Sequence, residues 1–156
     1  MKASVQRVAD ALTALGVTPE ITEFSESTRT AEEAARAVGA SVGQIVKSLV
    51  FSAEGGPLLV LASGAHRVDM TKLAVAAGGP VARANADLVR EATGYAIGGV
   101  PPVGHARPLR TLFDRDLLQY DVVWAAAGTP NAVFPIAPAR LVEIAQGEVV
   151  DVGEVG

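Results

Sequence analysis

The stretch "IVKSLVFSAEGGPLLVLAS" sets the terms on which this chain can fold. Two apolar runs, "IVKSLVFSA" and "PLLVLAS", flank the turn "EGG", and that order reads as a β-hairpin. It commits the middle of the chain to an antiparallel pair, around which everything else must pack. Upstream, "SVQRVADALTALG" places Val5, Val8, Ala9 and Leu12 at helical spacing, with Gly16 as the stop. "EITEF" alternates and reads as a short strand. "TAEEAARAVG" opens on a capping box, Thr30 with Glu33, and closes on Gly39. Downstream, Asp69 caps a helix in "MTKLAVAAGG" and Asn85 caps another in "ADLVREATG", with a short "PVAR" between them. "LRTLFD", "DVVWAAA" and "NAVFPI" are three further strand candidates, and Pro138 suits the first turn of a last helix, "PARLVEIAQ". Hairpins mixed with helical insertions imply an α+β fold with a mixed, largely antiparallel sheet flanked by helices, not a repeated βαβ pattern.

A chain of 156 residues with 49% hydrophobic content is expected to be one domain spanning residues 1–156. Much of its apolar content is Ala and Val, which implies a closely packed core poor in aromatic rings. No run of about 18 apolar residues occurs, so no membrane span is expected. "MKASVQRVADAL" lacks the apolar centre of a signal peptide, and there is no cysteine. Together these point to a cytoplasmic protein without disulfides, a thiolate nucleophile or a thiolate metal site. The net charge of −4 argues against avid non-specific nucleic-acid binding. It leaves room for a local basic patch, because Lys47, Arg67, Lys72, Arg83, Arg90, Arg107, Arg110 and Arg115 all fall in the middle of the chain.

Several chemistries lack their motifs. His66 and His105 show no metal-ligand spacing, and no metal is expected. There is no G-x-S-x-G elbow and no Walker loop. "GYAIGG" is not a dinucleotide fingerprint, because no helix opens directly behind it. What remains is Lys47, which shares a strand face with Ile45, Leu49 and Phe51. A lysine on an apolar face either snorkels to water or meets an anion in a cleft. The segment "GYAIGGVPPVGHARPL" packs four glycines and three prolines into sixteen residues, which makes a shaped loop able to approach a ligand closely. "WAAAGTPNAVF" reads either as a hairpin turn after Gly128 or as a second backbone loop facing the first.

Taken in order, these pieces resemble the YbaK / prolyl-tRNA editing superfamily of aminoacyl-tRNA deacylases, over nearly the whole chain. "IVKSLVF" is similar to the family's lysine strand. "TGYAIGGVPPVGH" resembles its G-x-x-P-x-G loop, with Gly99, Pro102 and Gly104 in place, and "VVWAAAGTPNAVF" resembles its later glycine loop. The resemblance implies a single YbaK-like domain with a barrel-like sheet, and hydrolysis of the ester that joins a wrong amino acid to the tRNA 3′ end. It assigns Lys47 to hold the terminal nucleotide and Gly98, with Gly99 beside it, to meet the aminoacyl end. Ser48, Gly128 and Thr129 join the binding set, and hydrolysis proceeds through an ordered water with no cofactor. Cysteinyl-tRNA(Pro) deacylases of the family carry a tyrosine where this chain has Phe24 and an aspartate where it has Val133. The implied pocket is less polar, which opens alanine, serine or 2-aminobutyrate beside cysteine as the residue removed. The implied partner is a tRNA acceptor end, with a prolyl-tRNA synthetase or an elongation factor supplying further affinity. The alternatives are a module that binds aminoacyl-tRNA ends or nucleotides without turnover, and a structural protein whose Gly/Pro loop only packs.

Overall fold

The computed structural model describes residues 2–25 and 30–155. Its helices are α1 (Ala3–Ala14), α2 (Ala31–Val38), α3 (Met70–Ala77), α4 (Ala86–Thr93) and α5 (Pro138–Ala145). Its strands are β1 (Thr22–Glu23), β2 (Val46–Ala53), β3 (Gly56–Ser63), β4 (Val81–Arg83), β5 (Arg110–Asp114), β6 (Val123–Ala126), β7 (Ala132–Ile136) and β8 (Glu148–Val150). The fold is α+β, as the order of sequence signals implied.

The hairpin is the centre of the larger sheet. β2 and β3 pair antiparallel from Val46 opposite Ser63 to Ala53 opposite Gly56, so Glu54 and Gly55 alone make the turn. Leu58, Leu59, Val60, Leu61 and Ala62 of β3 are all buried, because both faces of this strand are covered. On one face Val46, Val50, Leu59 and Leu61 join Val5, Val8 and Leu12 of α1 in the main core. On the other, Phe51, Leu58, Val60 and Ala62 pack with Leu73 of α3. Each such large aliphatic side chain contributes about 1.5–3 kcal/mol of burial free energy, an upper estimate.

The capping residues act as their positions suggest. The Thr30 hydroxyl accepts from the Glu33 N–H at 3.1 Å while Glu33 Oε1 accepts from the Thr30 N–H at 3.3 Å. Asp69 accepts from the N–H groups of Thr71 and Lys72, and Asn85 from that of Leu88. Each cap is worth about 1 kcal/mol.

Strand order in the larger sheet is β4-β2-β3-β5-β8, with β3–β5 and β5–β8 parallel. The smaller sheet runs β1-β7-β6. The two sheets meet at a single parallel bridge, Ile45 with Trp124. The barrel-like expectation is therefore corrected to two open sheets that touch at one point. Beyond the bridge β6 turns toward β7, where the Ala127 N–H donates to the Ala132 carbonyl at 2.8 Å. On the other side β4 covers β2 only at Phe51–Ala53. Among the described residues the β2 edge between these contacts has no neighbouring strand, and the main cavity lies along it.

Candidate functional site

A cavity of about 370 Å³ opens where β2 and β6 diverge. Its walls come from α2 (Ala31, Ala34), the β2 edge, β6 and β7 (Trp124, Val133), and the glycine loop at Gly98. Small apolar side chains make most of the wall, and two cations, Lys47 and Arg83, reach it.

Lys47 lies on the β2 face that also carries Leu49 and Phe51, and it is half-buried. Its ammonium donates to the carbonyl oxygen of His66 at 2.7 Å. Burial lowers its pKa below the usual lysine range; Asp114 and Glu32 oppose this, while Arg83 and Arg67 add to it. Arg83 makes no ion pair or hydrogen bond among the described residues. Three other basic residues differ. Lys72 and Arg115 pair with Asp151, and Arg110 donates to the carbonyls of Ala76 and Ala77, away from the cavity.

The His66 segment that receives the Lys47 ammonium is itself anchored. Its Nε2 sits 2.9 Å from Asp114 Oδ2 and 3.1 Å from Asp116 Oδ2, at ion-pair distance without a well-angled hydrogen bond to either. Asp114 is fully buried and accepts from the N–H groups of Ser63 and Asp116, both at 2.9 Å. The ligand atoms of His66, Asp114 and Asp116 lie within 4.8 Å of one another, so among the described residues these form the group able to hold a metal ion. Sequence spacing could not reveal the trio, because the histidine follows β3 while Asp114 ends β5 and Asp116 follows it, two strands joined only by tertiary pairing.

The glycine loop divides by function. Gly98 lines the cavity at φ +90°, and its N–H has no partner among the described residues. Gly99 lies behind it: its N–H donates to the Ala96 carbonyl at 3.0 Å and its own carbonyl accepts from the Gly128 N–H. The two glycine loops thus face each other, but the Gly128 amide is already engaged.

Of the residues singled out from sequence, Lys47, Ser48, Gly98 and Val133 line the cavity. Thr129 does not; its hydroxyl donates to Asn131 Oδ1 at 3.1 Å. Phe24 is also outside the wall, with its backbone pinned to Asn131 in both directions. Pro102 and Gly104 line a separate depression of about 340 Å³ with His105. Sequence reasoning missed the walls from α2 and Trp124, and the unpaired edge of β2, because each is created by tertiary packing.

The family model for the aminoacyl-tRNA editing domain matches residues 25–144. A solved structure described as a "putative trans-editing enzyme for prolyl tRNA synthetase" superposes with a TM-score of 0.95 at 50% identity, covering 99% of each chain. YwhH of Bacillus subtilis is 34% identical over 131 residues, 83% of both chains. The Enterococcus faecalis protein named "Putative Cys-tRNA(Pro)/Cys-tRNA(Cys) deacylase EbsC" is 28% identical over 131 residues, 83% of this chain and 80% of that one.

Proposed function

This chain belongs to the aminoacyl-tRNA editing domain family, and on that premise we propose that it hydrolyses mischarged aminoacyl-tRNA in trans, acting as one domain in the cytoplasm. An aminoacyl ester is already activated, so positioning and oxyanion stabilisation carry the reaction without a strong side-chain nucleophile. The ammonium of Lys47 holds the terminal nucleotide through phosphate or ribose oxygens. A water attacks the ester carbonyl, and the unpartnered Gly98 N–H donates to the oxygen on which negative charge develops. The C–O bond to the ribose breaks, the ribose oxygen takes a proton with help from the neighbouring 2′-hydroxyl, and free amino acid and tRNA leave.

The observation that carries this reading is the sharing of one cavity by Lys47 and the free amide of Gly98. A well-placed donor in such a site contributes about 3 kcal/mol. The substrate we favour is a proline-type tRNA carrying alanine, serine, cysteine or 2-aminobutyrate. Val133 and the alanines of the wall leave room for a small side chain and offer a basic one no partner. A wall of this kind separates neighbours differing by one methylene by about 1–3 kcal/mol. Only the acceptor end docks, with Arg83 and Arg67 beside Lys47, and a prolyl-tRNA synthetase or elongation factor supplies the remaining affinity.

The test is a deacylation screen of prolyl and alanyl tRNAs charged with Ala, Ser, Cys, Thr and 2-aminobutyrate. Release of at least one small amino acid is expected. Tight binding with no release across the panel would replace this reading with that of a non-catalytic binding module.

A further inference from the structure

The hydrogen-bond pattern of β2 fixes which way each of its backbone groups points. The Ile45 carbonyl accepts from the Gly64 N–H at 2.8 Å on the β3 side. The register then turns Lys47, Leu49 and Phe51 toward β3 and the alternate residues Val46, Ser48 and Val50 toward the opposite edge. The Val50 carbonyl confirms this parity by accepting from the Ala84 N–H at 3.2 Å on that edge. Ser48 falls between the Ile45–Trp124 bridge and the Val50–Ala84 bond, so among the described residues no strand covers its N–H and C=O. Its hydroxyl is also buried without a hydrogen-bond partner, and the residue lines the cavity. A strand residue with its main-chain donor and acceptor both unmet is costly beside a mostly apolar wall, unless a ligand meets them.

We propose that Ser48 reads the aminoacyl group through its backbone, as one residue of an antiparallel pair. The α-ammonium of the substrate donates to the Ser48 carbonyl, and the substrate carbonyl oxygen accepts from the Ser48 N–H. An aminoacyl group carries its nitrogen and carbonyl at the spacing of one strand residue, and hydrogen-bonded antiparallel residues exchange both bonds. The device selects for a free α-amine whatever the side chain, and leaves side-chain selection to the opposite wall. It also adds a second main-chain donor, with that of Gly98, on the carbonyl that is attacked. This inference rests on the deacylase reading for the identity of its ligand, but its test does not require turnover.

The probes are two non-hydrolysable analogues, 3′-alanylamido-3′-deoxyadenosine and its propionylamido counterpart, which lacks only the amine. Calorimetry on the wild-type protein should show the alanyl compound binding about tenfold or more tightly, the scale of a hydrogen bond to a charged group. Ser48→Pro deletes the edge N–H without touching the β3 ladder, a position where strand proline is tolerated. It should weaken the alanyl analogue by a similar factor, while Ser48→Ala stays within about threefold of wild type. Equal affinity of the wild type for the two analogues overturns the proposal even if Ser48→Pro fails to fold. Failure of the deacylation screen with a retained preference for the alanyl analogue would instead sink the hydrolase reading and keep this one.

Discussion

The N–H of Gly128 donates to the carbonyl oxygen of Gly99 at 3.0 Å, so the two glycine loops are fastened to each other rather than held apart around a ligand. That contact needs both residues bare. A Cβ on Gly99 would come within 2.9 Å of the Thr129 Cα, and one on Gly128 within 2.6 Å of the Ser4 carbonyl oxygen, at a φ of +102°. The fastening leaves the Gly98 amide, which lines the cavity and has no partner among the described residues, free to act.

Alanine substitutions should therefore rank by position. Gly99→Ala and Gly128→Ala each push a methyl into backbone and should cost about 1–3 kcal/mol. At Gly98 the nearest atom to an added Cβ is the Pro130 Cγ at 3.7 Å, so only the positive φ opposes alanine, at about 1 kcal/mol. Chemical denaturation of the three variants tests the order, and a Gly98→Ala variant as unstable as Gly99→Ala would contradict it.

Lys47→Met should fold and lose activity by about a hundredfold or more, since one positioning cation is removed from the site. In the wild type the charge itself should set the alkaline limit. Burial depresses the Lys47 pKa, so kcat/KM should begin to fall at a pH below the ordinary lysine value of 10.5. A pH–rate profile, corrected for spontaneous ester hydrolysis, reads this directly. A rate still flat at pH 10.5 would remove Lys47 from the role given to it.

His105 makes the protein acid-sensitive. Its Nε2 lies 2.7 Å from the Pro101 carbonyl, which requires that nitrogen to carry the proton as donor in the neutral ring. Desolvation lowers its pKa below 6.5, against a weaker opposing push from that hydrogen bond. The unfolded chain therefore takes up a proton first as pH falls, so the stability this group contributes is complete above 6.5 and drains away as pH drops toward the folded-state value. Urea denaturation at pH 7.5 and at pH 5 should show the loss, and His105→Gln should flatten it.

The two aspartates beside His66 should behave unequally. Asp114 is fully buried and serves two backbone N–H groups as well as the imidazole, so Asp114→Ala should cost about 3–5 kcal/mol. Asp116 is 43% exposed in its side chain, and Asp116→Ala should cost no more than about 1 kcal/mol. Loss of Asp114 should also weaken catalysis by releasing the His66 carbonyl from the Lys47 ammonium, visible as a rise in KM for aminoacyl-tRNA.

Local signals proved readable where local physics decides. Thr30, Asp69 and Asn85 cap helices because their side chains reach N–H groups within one turn, and Glu54–Gly55 turns the hairpin because its strands are adjacent in sequence. Lys47 stood out because a cation among Ile45, Leu49 and Phe51 conflicts with burial. β8 escaped notice because Glu148–Val150 is short and gains its strand character only from parallel pairing with β5. The His66–Asp114–Asp116 cluster, the α2 wall and the bare edge at Ser48 were equally hidden. Each depends on which strand lies beside which, information that no window of neighbouring residues contains.

The lone bridge between Ile45 and Trp124 has a wider consequence. Like the pivot of a pair of scissors, it lets the angle between the blades, and so the gape along Ser48, be governed by whatever packs behind the joint. Substitutions at Val42, which packs against the Ile45 cluster without lining the cavity, can thus retune which acyl groups are admitted without altering any residue that touches them.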